Sequence, residues 1–179
     1  MSENVILVDA YDREIGTMEK MQAHREAALH RAFSIFIINE NDEMLIHQRA
    51  HDKYHSGGLW TNACCSHPRP GESIEEAANR RLLEEMGMIV QVEKKFSFIY
   101  HAPLGDKMFE HELDHVLIGI TNQAPKPNPE EVADWKYISF YDLQKDMKEN
   151  PKAYTAWFKI AFPMVMREIR RSLLKEEKI

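Results

Sequence analysis

The stretch WTNACCSHPRPGESIEEAANRRLLEEMG, from Trp60 to Gly87, constrains the chain most. Its first part stops at Pro68, and the residue before a proline is pushed out of the helical region. Trp60 to His67 therefore reads as a short extended segment. Alternate side chains of extended chain share a face, so Cys65 and His67 point one way and Cys64 and Ser66 the other. Pro70-Gly71-Glu72 makes a turn. Ser73, with Glu76 three residues on, has the form of a capping box and opens a helix. Along that helix Ile74, Ala78, Arg81 and Glu85 follow one stripe. A strand, a turn and a helix thus carry a thiol, an imidazole, a guanidinium and a carboxylate to neighbouring surfaces. Taken singly, each group has a plainer reading. Arg81 and Glu85 form a surface ion pair of little energetic weight, and Cys64 and Cys65 are small buried apolar residues.

A chain of 179 residues suits one domain, 1–179, with a real core. The net charge of −6 argues against non-specific binding to nucleic acid or membrane. Two adjacent cysteines make no disulfide framework, which points to a reducing cytoplasmic setting. No apolar run approaches the ~20 residues of a membrane span. MSENVILVDAYDREIG carries acids where a signal peptide carries bases. Nine histidines exceed expectation and prompt a search for metal or acid–base chemistry.

Taken in order, Val5 to Asp9 is a short strand followed by a turn through Asp12 and Arg13. Gly16 to Ala32 is mixed and holds Lys20, His24 and His30. A spacing of six does not place two histidines on one helical turn, so each alone reads as a surface histidine. Phe33 to Ile38 is a buried strand, Asn39 to Asp42 a hairpin turn, and Met44 to Gln48 the return strand. The His51, His55, Gly57 and Gly58 region reads as a mobile loop. Ile89 to Tyr100 is a long strand, His101 to Lys107 a turn and Met108 to Thr121 another strand. Trp135 to Ile138 is a short strand, and Ser139 starts a helix that stops before Pro151. Tyr154 to Lys178 is one long amphipathic helix, or two with a break near Pro163. Strands and helices do not alternate as in a doubly wound sheet, which leaves a mixed α/β sandwich with a helical C-terminus.

In FEHELDHV, Glu110, Glu112 and Asp114 share one face of a strand. Like charges so close need solvent or a cation. An edge strand with a solvated acidic face is one reading; another is that Phe109, Leu113 and Leu117 simply define the core. Two carboxylates beside several imidazoles also suit a divalent ion such as Mn²⁺ or Zn²⁺.

Arg80-Arg81-Leu82-Leu83-Glu84-Glu85-Met86-Gly87-Met88 resembles the second half of a Nudix box, with Glu72 on the earlier glutamate. Ser66 stands where the box has glycine, and Arg81 where it has glutamate. With LHRAFS at Leu29–Ser34, WTNACCSHP at Trp60–Pro68, FEHE at Phe109–Glu112 and AWFKI at Ala156–Ile160, the chain resembles the type 1 isopentenyl-diphosphate isomerases of the Nudix fold group. The resemblance implies a divalent site on His24, His30, His67, Glu110 and Glu112. It implies catalytic roles for Cys65 and Glu112, with Tyr100 in support, and places Trp157 against the reacting carbons. Lys20, Arg49, Lys53 and Arg81 fall on diphosphate-binding positions, and Glu85, with Cys65, on the site of a magnesium ion. The implied cofactors are Mg²⁺ and a second divalent ion, Mn²⁺ or Zn²⁺. The implied substrate is a small diphosphate, and the expected state is a monomer or weak homodimer.

The chemistry is consistent with those residue types. Protonating an alkene at its terminal carbon creates a tertiary carbocation, which needs a positioned acid and a site that keeps water out. Trp157 offers a π-face to that cation. Metal binding requires neutral imidazoles, so activity is expected to fall in acid. Two rivals remain at this level: a Nudix hydrolase of a nucleoside diphosphate derivative, and a non-enzymatic metal-binding domain.

Overall fold

The computed structural model describes residues 3–176, with side chains to residue 172. In chain order the elements are β1 (Asn4–Val8), β2 (Glu14–Glu19), α1 (Lys20–Glu26), β3 (His30–Ile38), β4 (Glu43–Arg49), β5 (Trp60–Thr61) and β6 (Cys64–Ser66). There follow α2 (Ile74–Met86), β7 (Val92–Gly105), β8 (Met108–Ile120), β9 (Val132–Ser139), α3 (Phe140–Glu149) and α4 (Ala156–Glu176).

The apolar run at Phe33–Ile38 becomes the hub of a mixed sheet. As β3 it pairs in parallel with β8, from His30 opposite Glu112 to Ile38 opposite Ile120. Its other edge is shared. β1 takes the start at His30, β6 the middle and the β4 hairpin the end at Ile38. The strand alternation then fills both faces. Phe33, Ile35, Ile37 and Leu45 pack with Ala77, Ala78, Leu82 and Met86 of α2. Phe36, Met44 and Ile46 pack on the opposite face with Leu143 of α3 and Phe158 and Phe162 of α4. This is the mixed α/β sandwich with a helical C-terminus that the sequence predicts.

Several boundaries differ from expectation, each for a local reason. Gly16 to Ala32 resolves into the end of β2, the short helix α1 and the start of β3. The predicted turn at His101–Lys107 shrinks to Asp106-Lys107, whose φ values of 48° and 59° make a left-handed hairpin turn. β7 continues through Pro103 because, among the described residues, it pairs with β8 alone, and an edge strand tolerates a missing N–H. Trp60–His67 is two short strands rather than one. Between them the Asn62 amide donates to Ile35 O (2.9 Å) and Cys64 O (3.0 Å). Pro163 does not break α4. The buried stripe of Trp157, Phe158, Ala161, Phe162 and Val165 anchors both sides of it to the sheet. Lys178, the expected end of that helix, lies outside the described residues.

The capping box forms as read: Glu76 N–H donates to Ser73 Oγ (3.2 Å), and Ser73 N–H to Glu76 Oε2 (2.9 Å). At the other end Gly87 closes α2 with φ 61°, donating to Leu82 and Leu83 carbonyls. A Cβ there would lie 2.3 Å from Lys126 O, a backbone atom. Gly87→Ala therefore combines a left-handed penalty of about 1–2 kcal/mol with a clash that must move the 126 backbone. The expected loss is about 3 kcal/mol or more, read as a fall of roughly 6–12 °C in melting temperature for a domain of this size.

Candidate active site

The pairing of β6 with β3 places Cys65 opposite Ser34 and Cys64 opposite Ile35. Cys64 is fully buried in the core under α2. Cys65 turns to the other face, where it lines a cleft together with His67. Its Sγ donates to Asn62 Oδ1 (3.0 Å) and lies 3.3 Å from Ser34 Oγ, which itself donates to Asp114 Oδ2 (2.7 Å). The Asn62 amide nitrogen is already committed to two carbonyls, so its oxygen can only accept. Burial pushes the Cys65 thiol up, and the Asp114 charge adds to it. Cys65 is thus held as a thiol.

The floor of the cleft is an imidazole–carboxylate cluster. His24 and His30 are fully buried, which overturns the surface reading of either one. The chain between them folds back at Ala27, whose φ of 51° ends α1 in the left-handed region, and brings the two rings to 5.3 Å. His30 Nδ1 donates to Ala28 O (2.8 Å) and His24 Nδ1 to Phe109 O (3.0 Å). Both Nε2 atoms therefore carry lone pairs. His30 Nε2 lies 3.2 Å from His67 Nε2. Among the described residues, His24 Nε2 and Glu110 Oε2 are buried without hydrogen-bond partners. One ligand atom each from His24, His30, His67 and Glu110 lies within 4.8 Å of the others. Imidazole lone pairs and a carboxylate oxygen converging this closely call for a cation, and the N/O set fits a divalent one.

Glu112 stands beside those four. Its Oε1 lies 2.8 Å from His67 Nε2 and 3.4 Å from His30 Nε2, and its Oε2 accepts from Tyr100 OH (2.7 Å). Its strand is not a solvated edge: β8 lies between β3 and β7, and Glu110, Glu112 and Asp114 are all buried. Burial opposes ionisation of Glu112, but the His30 and His67 imidazoles against it outweigh that and hold the carboxyl well below its usual range. Burial, and then the Glu112 charge, push Glu110 well up. A bound cation would relieve that conflict. Burial also lowers His67 to about 3, so its imidazole stays neutral and free to ligate well into acid.

The cleft wall is basic. Lys20, Arg49, Lys53 and Arg81 all line it, as does Glu85. Arg81 donates to Glu84 (2.7 Å) and Glu85 (2.5 Å), the two carboxylates that a hydrolase box offers to magnesium. Glu72 instead serves structure: it takes a two-pronged contact from Arg80 (2.7 and 2.8 Å) and fixes the turn to α2. Trp157, at the start of α4, lines the cleft with its Nε1 buried and unpartnered. Every catalytic, diphosphate and magnesium residue predicted from sequence borders this one cleft, and His24 and His30 lie in the cluster beneath it.

The NUDIX domain family matches residues 28–158. Isopentenyl-diphosphate Delta-isomerase 1 of Aromatoleum aromaticum is 48% identical over 166 residues, which is 93% of this chain and 94% of that protein. The chain belongs to the isopentenyl-diphosphate Delta-isomerase family. Another member, from Photobacterium profundum, is 47% identical over 175 residues, covering 94% of this chain and 97% of its own. Solved structures agree on the fold. Deinococcus radiodurans DR0079 superposes with TM-score 0.70 at 19% identity, over 83% of this chain and 90% of its own. A MutT protein from Methanosarcina mazei gives 0.63 at 20% identity, over 78% and 94%.

As an isopentenyl-diphosphate isomerase family chain, it also brings residues to the cleft for which the sequence reading found no role. Ser34, Tyr54, His55 and Glu131 all line it. Glu131 pairs with Lys53 and lies 3.7 Å from Arg81. Ser34 belongs to the quoted LHRAFS motif, and Asn62 to WTNACCSHP, so a signal for both was present. His55 lies in the loop between β4 and β5. That loop folds back on β4, with Gly58 N–H donating to Arg49 O (3.0 Å) and Arg49 N–H to Leu59 O (2.9 Å).

Proposed function

We propose that the protein converts isopentenyl diphosphate to dimethylallyl diphosphate by moving a proton onto the terminal alkene carbon and another off the adjacent carbon. The observation that carries this is the placement of the Cys65 thiol and the Glu112 carboxylate on one cleft, under Trp157 and beside a basic wall. One of the pair gives a proton and the other takes one, so the net charge of the cleft is unchanged, and the starting protonation states return when a proton passes back from the group that took it to the group that gave it. Between the two events the substrate carries a tertiary carbocation. Tyr100 holds Glu112 in place through its hydroxyl. Lys20, Arg49, Lys53 and Arg81 bind the diphosphate, and the Glu85 carboxylate would hold a magnesium ion on it, with Cys65 alongside. His24, His30, His67, Glu110 and Glu112 hold the second divalent ion, Mn²⁺ or Zn²⁺, whose charge would fix Glu112 and bias its proton affinity.

The test is incubation with isopentenyl diphosphate, Mg²⁺ and Mn²⁺. The allylic isomer with no released phosphate is expected. Released phosphate in its place would establish a Nudix hydrolase, against which the capture of Glu84 and Glu85 by Arg81 counts. Neither product would leave a metal-binding domain.

A cationic amine analogue bearing a diphosphate should bind much more tightly than the substrate, because the site complements the charged intermediate. A desolvated cation–π contact is worth about 2 kcal/mol, so Trp157→Ala should weaken the analogue about 30-fold while weakening a neutral isostere far less. Calorimetric titration of both ligands reads this difference directly. Equal binding of the two ligands by the wild type would remove support for a carbocation.

A further inference from the structure

We propose that His55 is a positioning residue of the ion centre, holding one oxygen of Glu110 so that the other faces the metal. The inference rests on the ion centre proposed above and adds to it a group from outside the ligand set. His55 is buried in the cleft, on the loop between β4 and β5. Its Nε2 lies 3.5 Å from Glu110 Oε1. Its Nδ1 lies 3.2 Å from Ser56 Oγ, which can donate to it and leave the ring proton on Nε2, the nitrogen beside Glu110. The other Glu110 oxygen, Oε2, sits 3.7 Å from His24 Nδ1 and has no hydrogen-bond partner among the described residues. One carboxylate oxygen thus has an imidazole nitrogen within 3.5 Å, a little longer than a formed hydrogen bond, and the other stands on the side of the histidines. His55 is not itself a member of the four-atom ligand group. Outer partners of this kind orient a ligating carboxylate and set its affinity for the metal.

The loop is built to deliver the ring there. Arg49 Nη2 donates to His55 O (3.2 Å), which ties the backbone to a residue of the diphosphate wall. Gly57 packs so close that a Cβ would meet His51 O at 2.5 Å. On its other side the imidazole stands edge-on to Trp157, with ring centroids 5.8 Å apart. His55 therefore touches the ion centre with its ring and the diphosphate wall with its backbone.

The experiment is competition for Mn²⁺ between the resting protein and a chromophoric chelator, without substrate. Wild type is compared with His55→Phe, His55→Ala and His55→Gln. Phenylalanine keeps a ring against Trp157 but has no donor, and glutamine keeps a donor. Mn²⁺ affinity should fall about 10–100-fold in the Phe and Ala variants and stay within about 3-fold of wild type in the Gln variant. Melting curves of the metal-free proteins should superpose. Wild-type affinity in His55→Phe would overturn the proposal while leaving the ion centre standing. An equal loss in all three variants would also overturn it, by assigning the effect to loop packing. Wild type that holds no Mn²⁺ would overturn the ion centre and this proposal together.

Discussion

Cys65→Ala will slow isomerisation by ~10² or more, the scale of a lost proton-transfer group, and will leave the melting temperature nearly unchanged. Cys64→Ala will do the reverse. The two residues are adjacent, yet the period of two puts them on opposite faces of the sheet. Cys64 has no exposed surface and packs under α2, so truncation removes a core atom for about 1 kcal/mol. Cys65 is partly exposed to the cleft and gives its thiol proton to Asn62 Oδ1 at 3.0 Å. Cys65→Ser retains a hydrogen-bonding group but not the acidity of a thiol, and it will be severely slowed as well. Steady-state turnover and thermal melting of the three variants decide the matter. An inactive, folded Cys64→Ala beside an active Cys65→Ala would show that the catalytic face has been assigned one residue out of register.

That split was legible because it depends on one local rule. The same holds for the α2 start, where Ser73 and Glu76 are three residues apart and need no tertiary partner to find each other. Glu110, Glu112 and Asp114 were placed on one face for the same reason. What the sequence could not supply was register and chain reversal. Ser34 meets Cys65 only because β6 enters the middle of the β3 edge. His24 and His30 meet because Ala27 takes a left-handed φ, a conformation that alanine does not announce. Their spacing of six looked uninformative for that reason. His55 lies in a glycine-bearing loop with no periodic pattern to place it, and only the fold shows that Gly57 makes a close approach to His51 O. β7 outran its predicted end because a proline is harmless where a strand has a neighbour on one side only.

Removing the tightly held ion will abolish turnover and lower stability, and Mg²⁺ alone will not restore either. In its absence the cluster keeps buried lone pairs on His24 and His30 Nε2 with no donor for the first, and an unpartnered Glu110 oxygen. Glu110 is then driven toward its protonated form by burial and by Glu112. A cation replaces that arrangement with favourable contacts to all of them. An ion that binds the native state and not the unfolded chain stabilises it by about 4 kcal/mol at 1,000 times its Kd, equivalent to roughly 8–16 °C for a domain of this size. Elemental analysis after dialysis against a weak chelator should find one divalent ion per chain without substrate, and a second only with a bound diphosphate. His67→Ala should lose the first ion and fall by at least ~10² in rate, since the same imidazole lies 2.8 Å from Glu112 and helps to hold it ionised. Dialysed protein with no stoichiometric metal, an unshifted melting temperature and full activity in Mg²⁺ would remove the histidine centre from the mechanism. It would leave His24, His30 and His67 as a buried imidazole cluster whose lone pairs have no physical account.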